Sequence, residues 1–279
     1  MGVKIVTDST SDISADLARS LGIEVVPGYV RFGQDTYRDG LDISRPAFYQ
    51  ELADSPFDPV TSEATPKDFA ETYSRCAHEA EGIVSIHISS RISRMFDSAR
   101  KGKRRARTKC AVEVIDSHFA SISLGLIVVR AAKLANAGES IEGVVGKTKE
   151  AIGQIRTLGF FDTMRYVARG GRTSKHVMEL SSMLRVKPLL AFKDGEVVVE
   201  GLVRTHSKGI ERLAKFVGNT PGVQDLGIAY STDNDSAIAL SQRLGSVFPV
   251  ERMQIARMGA ALGSHCGPGA IFVALLRDR

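Results

Sequence analysis

Short apolar runs alternate with stretches of helical periodicity along this chain, and that alternation predicts its elements. Residues 4–7 read as a buried strand. They run into Asp8-Ser9-Thr10-Ser11-Asp12, a cluster of helix-capping types, and then Ile13, Leu17 and Leu21 at helical spacing, closed by Gly22. Residues 23–27 form a second strand, and such an opening founds a parallel sheet with a right-handed crossover. Residues 28–66 break the pattern. Gly33, Gly40, Pro46, Pro56 and Pro59 surround a short helical stretch at 45–53, so this segment is expected to be irregular. Beyond it the pattern predicts helices over 67–79, 93–100, 123–137 and 141–155, with strands over 82–88 and 112–115.

After residue 157 the character changes. A strand over 158–162 and a short helix over 164–168 precede the Gly170-Gly171 break. Strands over 189–192 and 197–203 flank Lys193-Asp194-Gly195-Glu196, which carries the Asp-Gly signature of a hairpin turn. Helices over 208–217 and 236–244 and strands over 226–230 and 270–276 complete the chain. The expected fold is α/β in two lobes: a Rossmann-like parallel-sheet domain over 1–158 and a smaller mixed α+β domain over 159–279.

At 279 residues the chain can bury the cores of two moderate lobes. Aromatic residues are 6% and Trp is absent, so a large ligand cavity would be lined mainly by aliphatic side chains. The formal charge of +5 raises the question of nucleic acid. The dense basic run is Arg100 to Arg107, continuing to Lys109, and no stacking aromatics accompany it. It reads as a solvated helix end whose cations suit the helix dipole, or as a docking patch for an acidic partner or a transient membrane contact; nucleic acid is not the expected partner. Cys76, Cys110 and Cys266 are widely spaced and contain no C-x-x-C pair, which argues against a disulfide framework or structural zinc. The opening Met1-Gly2-Val3-Lys4-Ile5-Val6 is too short and charged for a signal peptide, and Val6 stands where myristoylation needs Ser or Thr. With no apolar run near the ~20 residues of a membrane span, a reducing cytoplasm is the expected compartment.

Candidate chemistry lies at junctions. The cluster 8–12 sits where an open α/β sheet binds ligands, although its residue types also cap helices. No G-x-G-x-x-G or G-x-x-x-x-G-K-[ST] occurs, so a standard dinucleotide or phosphate loop is absent. Thr61-Ser62 and Ser89-Ser90-Arg91-Ile92-Ser93 place hydroxyls at a loop and a strand-to-helix junction; Ser93 fits an N-cap, and a helix N-terminus is also an anion site. Arg172 follows Gly170-Gly171 and Arg204 ends a strand; each is a surface residue or a fork for a carboxylate. Ser264-His265-Cys266-Gly267-Pro268-Gly269 reads as a rigid turn presenting a binding histidine. The histidines show no metal-ligand spacing.

These segments, taken in order, resemble the DegV family of bacterial fatty-acid-binding proteins. The resemblance runs through Val6–Asp12, Tyr37-Arg38-Asp39-Gly40 with Asp42-Ile43, Thr61-Ser62, Ser85–Ser90 and Asp116-Ser117. It continues with Gly170-Gly171-Arg172, Lys187-Pro188, Arg204-Thr205 and His265 to Ala270. It implies a deep acyl tunnel inside the protein with the head group at the interlobe cleft, and a ligand such as palmitate, stearate or oleate in place of a cofactor. Thr61 and Ser93 would hold the carboxylate and His265 would join them, with Ser62 adjacent. Arg172 and Arg204 would lie near the cleft and serve a partner. That partner is implied to be a separate ATP-dependent kinase subunit, which converts the bound acid to an acyl phosphate for phospholipid synthesis, so the chain itself would not be the enzyme. Two departures stand out. The family's Gly-Leu-Ser-Gly-Thr is here Arg91-Ile92-Ser93-Arg94-Met95, which is expected to make the head-group shell more cationic. Its Thr-Ser-Gln-Pro is Thr61-Ser62-Glu63-Ala64, with Pro66 displaced. Two other functions stay open on the residues alone: a hydrolase or transferase using Ser93 or Cys266 with His265, and a regulatory nucleic-acid module using the basic run.

Overall fold

The structure is a computed structural model and describes residues 2–163, 165–170 and 186–278. Arg172 lies outside the described residues. The first lobe is built on four parallel strands, β1 (Gly2–Asp8), β2 (Glu24–Val26), β6 (Ala80–His87) and β7 (Ala111–Asp116), in the order β2-β1-β6-β7. The register pairs Val6 with Glu24, Ile5 with Val84 and Ile86 with Ile115. Ile83, Val84 and Ile86 are all fully buried, as expected for a central parallel strand covered on both faces. The first crossover is α1 (Ala15–Leu21), which ends on Gly22 in the left-handed region (φ 68°), where a side chain would be strained.

Residues 28–66 are more ordered than their composition suggests. They form β3 (Tyr29–Phe32), β4 (Asp35–Arg38) and β5 (Val60–Ser62), an antiparallel sheet in the order β4-β3-β5, with α2 (Arg45–Asp54) against it. Strands of three or four residues carry too little periodicity to be read. Their stability comes from a separate small core of Val30, Phe32, Phe48 and Tyr49. The segment returns through α3 (Pro66–Cys76), whose Thr65 and Asp68 form a capping box, and α3 packs on α4 (Met95–Arg105).

After α5 (Ser121–Asn136) and α6 (Ile141–Gln154) comes β8 (Ile155–Phe160), an inner strand of the second sheet that spans the expected division at residue 158. Past α7 (Arg165–Gly170), β9 (Lys187–Lys193) and β10 (Glu196–Val203) form the expected hairpin. Asp194 and Gly195 have φ of 51° and 84°, the double positive φ of a type I′ turn. The remaining elements are α8 (His206–Gly218), β11 (Val223–Tyr230), α9 (Asn234–Arg243), β12 (Gln254–Arg257), α10 (Ala260–Cys266) and β13 (Ile271–Arg277). The six-stranded sheet runs β10-β9-β8-β13-β11-β12 and is antiparallel except for the β11–β12 pair. The expected two-lobed α/β architecture, one parallel sheet and one mixed sheet, is what forms.

The two sheets meet on α5. This helix packs on β1 from one side and on β13 and β11 from the other, and it is buried nearly all round. A helix apolar on every face belongs in such a sandwich. Contact is tight enough that a Cβ on Gly125 would lie 2.7 Å from the Ser11 carbonyl oxygen. On its outer face the second sheet carries Leu213 and Val217 of α8 and Leu240 of α9. No described helix is long and apolar enough to cross a membrane.

Candidate functional site

A cavity of about 390 Å³ opens between the lobes, within the range of small-ligand pockets. Ile88, Met95, Phe161, Leu190, Phe192 and Phe272 supply much of its apolar wall, and the first lobe and the mixed sheet both contribute. Against this wall stand few polar groups. Thr61, Ser62, Ser93 and His265, four of the residues expected at a head-group site, all line this cavity. Arg204 does not; it is exposed beyond the end of β10.

The central polar contact is the hydrogen bond between Thr61 Oγ1 and His265 Nε2, 2.8 Å long and spanning 204 residues of sequence. Thr61 is delivered by the middle of β5, where it pairs with Val30. His265 sits on the last turn of α10, a helix where the sequence suggested a turn. The difference has a physical cause. α10 has no capping side chain of its own, and its first N–H groups are satisfied from afar: Gly259 donates to Asp12 Oδ1 (2.8 Å), and Ala260 and Ala261 donate to the two oxygens of Asp39 (2.8 and 3.1 Å). Caps 220 and more residues away leave no local signal. Both carboxylates are buried, and burial raises their pKa values. For Asp12 desolvation outweighs the nearby Arg45 and the donors Ser121 and Gly259, and its pKa rises to about 6; Asp39 is raised by the same cause.

Two uncapped helix N-termini also reach the cavity. α4 starts after Arg94 and α5 after Ala120, neither with a side-chain cap, and Arg94, Met95, Ala120 and Ser121 line the wall. Ser93 is not the N-cap of α4; it stands one residue earlier, and its Oγ accepts from the Met95 N–H (3.2 Å). Free N–H groups and aligned dipoles at such ends favour an anion. Of the two arginines flanking Ser93, Arg94 is paired with Glu63 at 2.8 Å, so the Gln-to-Glu departure offsets one of the two cations gained around Ser93. Arg91 is exposed at the rim.

Thr10 lines the cavity from the end of β1, and behind it lies a buried relay that the sequence did not reveal. Asp8 Oδ1 accepts from the Thr10 hydroxyl and N–H, while Oδ2 accepts from the Ile88 N–H (3.2 Å) and faces His87 Nδ1 (2.9 Å). His87 Nε2 bonds Ser85 Oγ (2.6 Å), which in turn bonds the Tyr73 hydroxyl (2.8 Å). The Asp-His-Ser connectivity is that of a nucleophilic triad. Yet Asp8, Ser85 and His87 are each 0% exposed, and Ser85 lies outside the cavity wall, so no substrate reaches it. Its work is to fix β1, β6 and Thr10 in register. The capping role expected of the 8–12 cluster is present at the same time, since Asp8 caps the short 3-10 turn Ser9–Ser11.

The nucleophile alternatives fare no better. Cys266 is buried, and desolvation, reinforced by Asp12, pushes its thiol far above the ordinary range, so a thiolate is not populated at neutral pH. His265 Nε2 is engaged by Thr61, and Ser93 Oγ by the backbone of Met95. Among the described residues no three His, Cys, Asp or Glu side chains are grouped to hold a metal ion.

Comparison with known proteins identifies the family and the fold. The family model described as "Uncharacterised protein, DegV family" matches residues 2–278. A DegV domain-containing protein of Streptomyces coelicolor is 34% identical over 276 residues, 97% of either chain. Among solved structures, a DegV family protein from Thermus thermophilus, described as fatty acid binding, superposes with a TM-score of 0.89 at 33% identity over the whole of both chains. DegV from Bacillus subtilis, described as a fatty acid binding protein, gives a TM-score of 0.89 at 26% identity, also over both whole chains. This chain therefore belongs to the DegV family.

Proposed function

We propose that this protein binds one long-chain fatty acid in the interlobe cavity and presents its carboxylate to a separate ATP-dependent kinase subunit. One observation carries the reading: an apolar cavity on which Thr61 and Ser62, Ser93 and His265, from three distant stretches of sequence, converge. Such a space suits a molecule with a long apolar tail and a single charged end. A chain of about 14 methylenes gives roughly 11 kcal/mol of gross burial energy at ~0.8 kcal/mol each, from which the cost of immobilisation is subtracted. The carboxylate then needs donors to offset its desolvation. In this reading Thr61, Ser93 and the N-termini of α4 and α5 supply them, and His265 orients Thr61 and shares the negative charge. Arg172 and Arg204 serve the partner in this reading, and the exposure of Arg204 is consistent with that role. The absence of a phosphate-binding loop in the sequence fits a substrate carrier whose ATP comes from elsewhere.

The test is the lipid content of protein purified from a bacterial host. Native mass spectrometry should show one fatty acid per chain, and delipidated protein should take up labelled palmitate. Protein that is always lipid-free and refuses palmitate would overturn the reading. With bound acid but no acyl phosphate formed by any bacterial fatty acid kinase subunit, binding stands and presentation fails.

A further inference from the structure

Among the described residues that line the cavity, three carry a full formal charge at neutral pH: Glu63, Arg91 and Arg94. All three are chain neighbours of the head-group hydroxyls. Glu63 follows Thr61-Ser62, and the two arginines stand on either side of Ser93. The charge of the wall is thus gathered at its polar end, with none among the apolar residues. Arg94 and Glu63 are joined there by an ion pair, Nε to Oε1 at 2.8 Å. Its partners are unequally buried: the Glu63 side chain is 20% exposed and that of Arg94 79%. The acid therefore stands largely in the wall, and the cation covers it from the solvent side.

That asymmetry decides what the pair can do. An ion pair with one partner so exposed contributes little to folding, because solvent screens the attraction and holding the long arginine costs side-chain entropy. A carboxylate that solvent reaches poorly is another matter, since its field is screened less and acts on any anion nearby. Unpaired, Glu63 would repel a ligand carboxylate held by Thr61, two residues back along the chain, and would leave an uncharged head group unaffected. We propose that the Glu63–Arg94 pair sets the head-group selectivity of the cavity. Arg94 cancels the charge of Glu63 and so admits a fatty acid, where the bare acid would favour a fatty alcohol of the same tail. The proposal rests on the fatty-acid reading, which supplies the anion. Both residues are then determinants of specificity that act on the ligand through charge, in addition to the hydroxyls that hold it.

Dodecanoate and dodecanol share a tail and differ in head-group charge, so their ratio of affinities for delipidated full-length protein reads the effect. Titration at pH ~8 keeps His265, which also lines the cavity, above the ordinary histidine range, and Arg91 is left in place throughout. Arg94→Gln should weaken dodecanoate about five- to tenfold and dodecanol less than about twofold. Glu63→Gln keeps an acceptor for Arg94 and removes the negative charge, so it should strengthen dodecanoate by a similar factor. Arg94→Lys keeps the charge and should keep the wild-type ratio. Urea midpoints of all three variants should stay close to wild type, because the pair adds little to folding. The proposal is overturned if Arg94→Gln leaves the ratio unmoved or weakens both ligands alike, as a purely structural strap would. It is also overturned if Glu63→Gln weakens dodecanoate or if the lysine variant behaves like Arg94→Gln. Wild type that takes up neither probe overturns the fatty-acid reading as well, whereas wild type that binds dodecanoate with an unmoved ratio in the variants overturns the selectivity alone.

Discussion

At the scale of single residues the site turns on the contact between Thr61 and His265. Locally, Thr61 looked like a loop hydroxyl and His265 like a turn residue, and only the ordered, chain-long resemblance marked them. What no local reading supplies is that they touch, because the bond closes across 204 residues. The same holds for Asp8 and His87, buried partners 79 apart: the polar cluster after β1 was visible, but its partner sat inside an apolar strand and passed as core. Ser93 shows a smaller shift, since a serine before a helical run reads as the N-cap, yet α4 starts at Met95 after Arg94, and Ser93 accepts the Met95 N–H from one residue earlier. Thr61→Val tests the contact. The isosteric change keeps the strand and removes the hydroxyl from His265 and from any carboxylate. Loss of a hydrogen bond to a charged group costs about 1.5–3 kcal/mol, so palmitate affinity should fall roughly 10- to 100-fold by isothermal titration, with folding stability lowered by only about 1 kcal/mol. Unchanged affinity would remove Thr61 from the head-group site.

At the scale of elements, the placement of His265 depends on how α10 is held. Its N-terminus rests on Asp12 and Asp39, whose carboxylates arrive from the end of β1 and from the end of β4. The small apolar run at 260–263 gave a reader no reason to start a helix there, and the insertion that delivers Asp39 looked irregular because its strands are three and four residues long. Helix caps made by tertiary contact are legible only once the fold is known. They also carry a pH signature. Burial raises the Asp12 pKa from 3.8 to about 6, so the folded state binds its proton more tightly than the unfolded chain does. Stability from this group is therefore full below pH ~4, falls as pH rises, and is lost by pH ~6. Two pKa units amount to about 3 kcal/mol. Asp12→Asn keeps an acceptor for the Gly259 N–H and removes the titration. Urea midpoints for the variant should gain on wild type between pH 4 and 7, by up to about that amount. A constant difference across the range would show that Asp12 does not titrate there.

For the whole molecule, the two-lobed plan was legible because it follows from long apolar strands and helices whose periodicity survives any detail of packing. The Asp-Gly hairpin was equally plain, and its positive φ pair is what that dipeptide supplies. The sequence did not disclose that α5 would serve as the shared core of both sheets, with its N-terminus in the cavity wall. A chain enclosed between two lobes makes a quantitative demand that surface adsorption does not. Every methylene that enters the cavity should add about 0.8 kcal/mol, close to fourfold in affinity, until the walls are filled. Delipidated protein titrated with saturated acids from ten to eighteen carbons should therefore show Kd falling about fourfold per carbon and then levelling off or rising at a definite length. The melting temperature should climb in parallel, since a ligand bound only by the folded state stabilises it in proportion to the logarithm of its occupancy. The break point measures the cavity from inside, because an extra methylene that finds no room overpacks the walls or stays in water. If affinity proves indifferent to chain length, the acyl chain lies on the protein and not within it. The apolar walls between the lobes would then need another occupant.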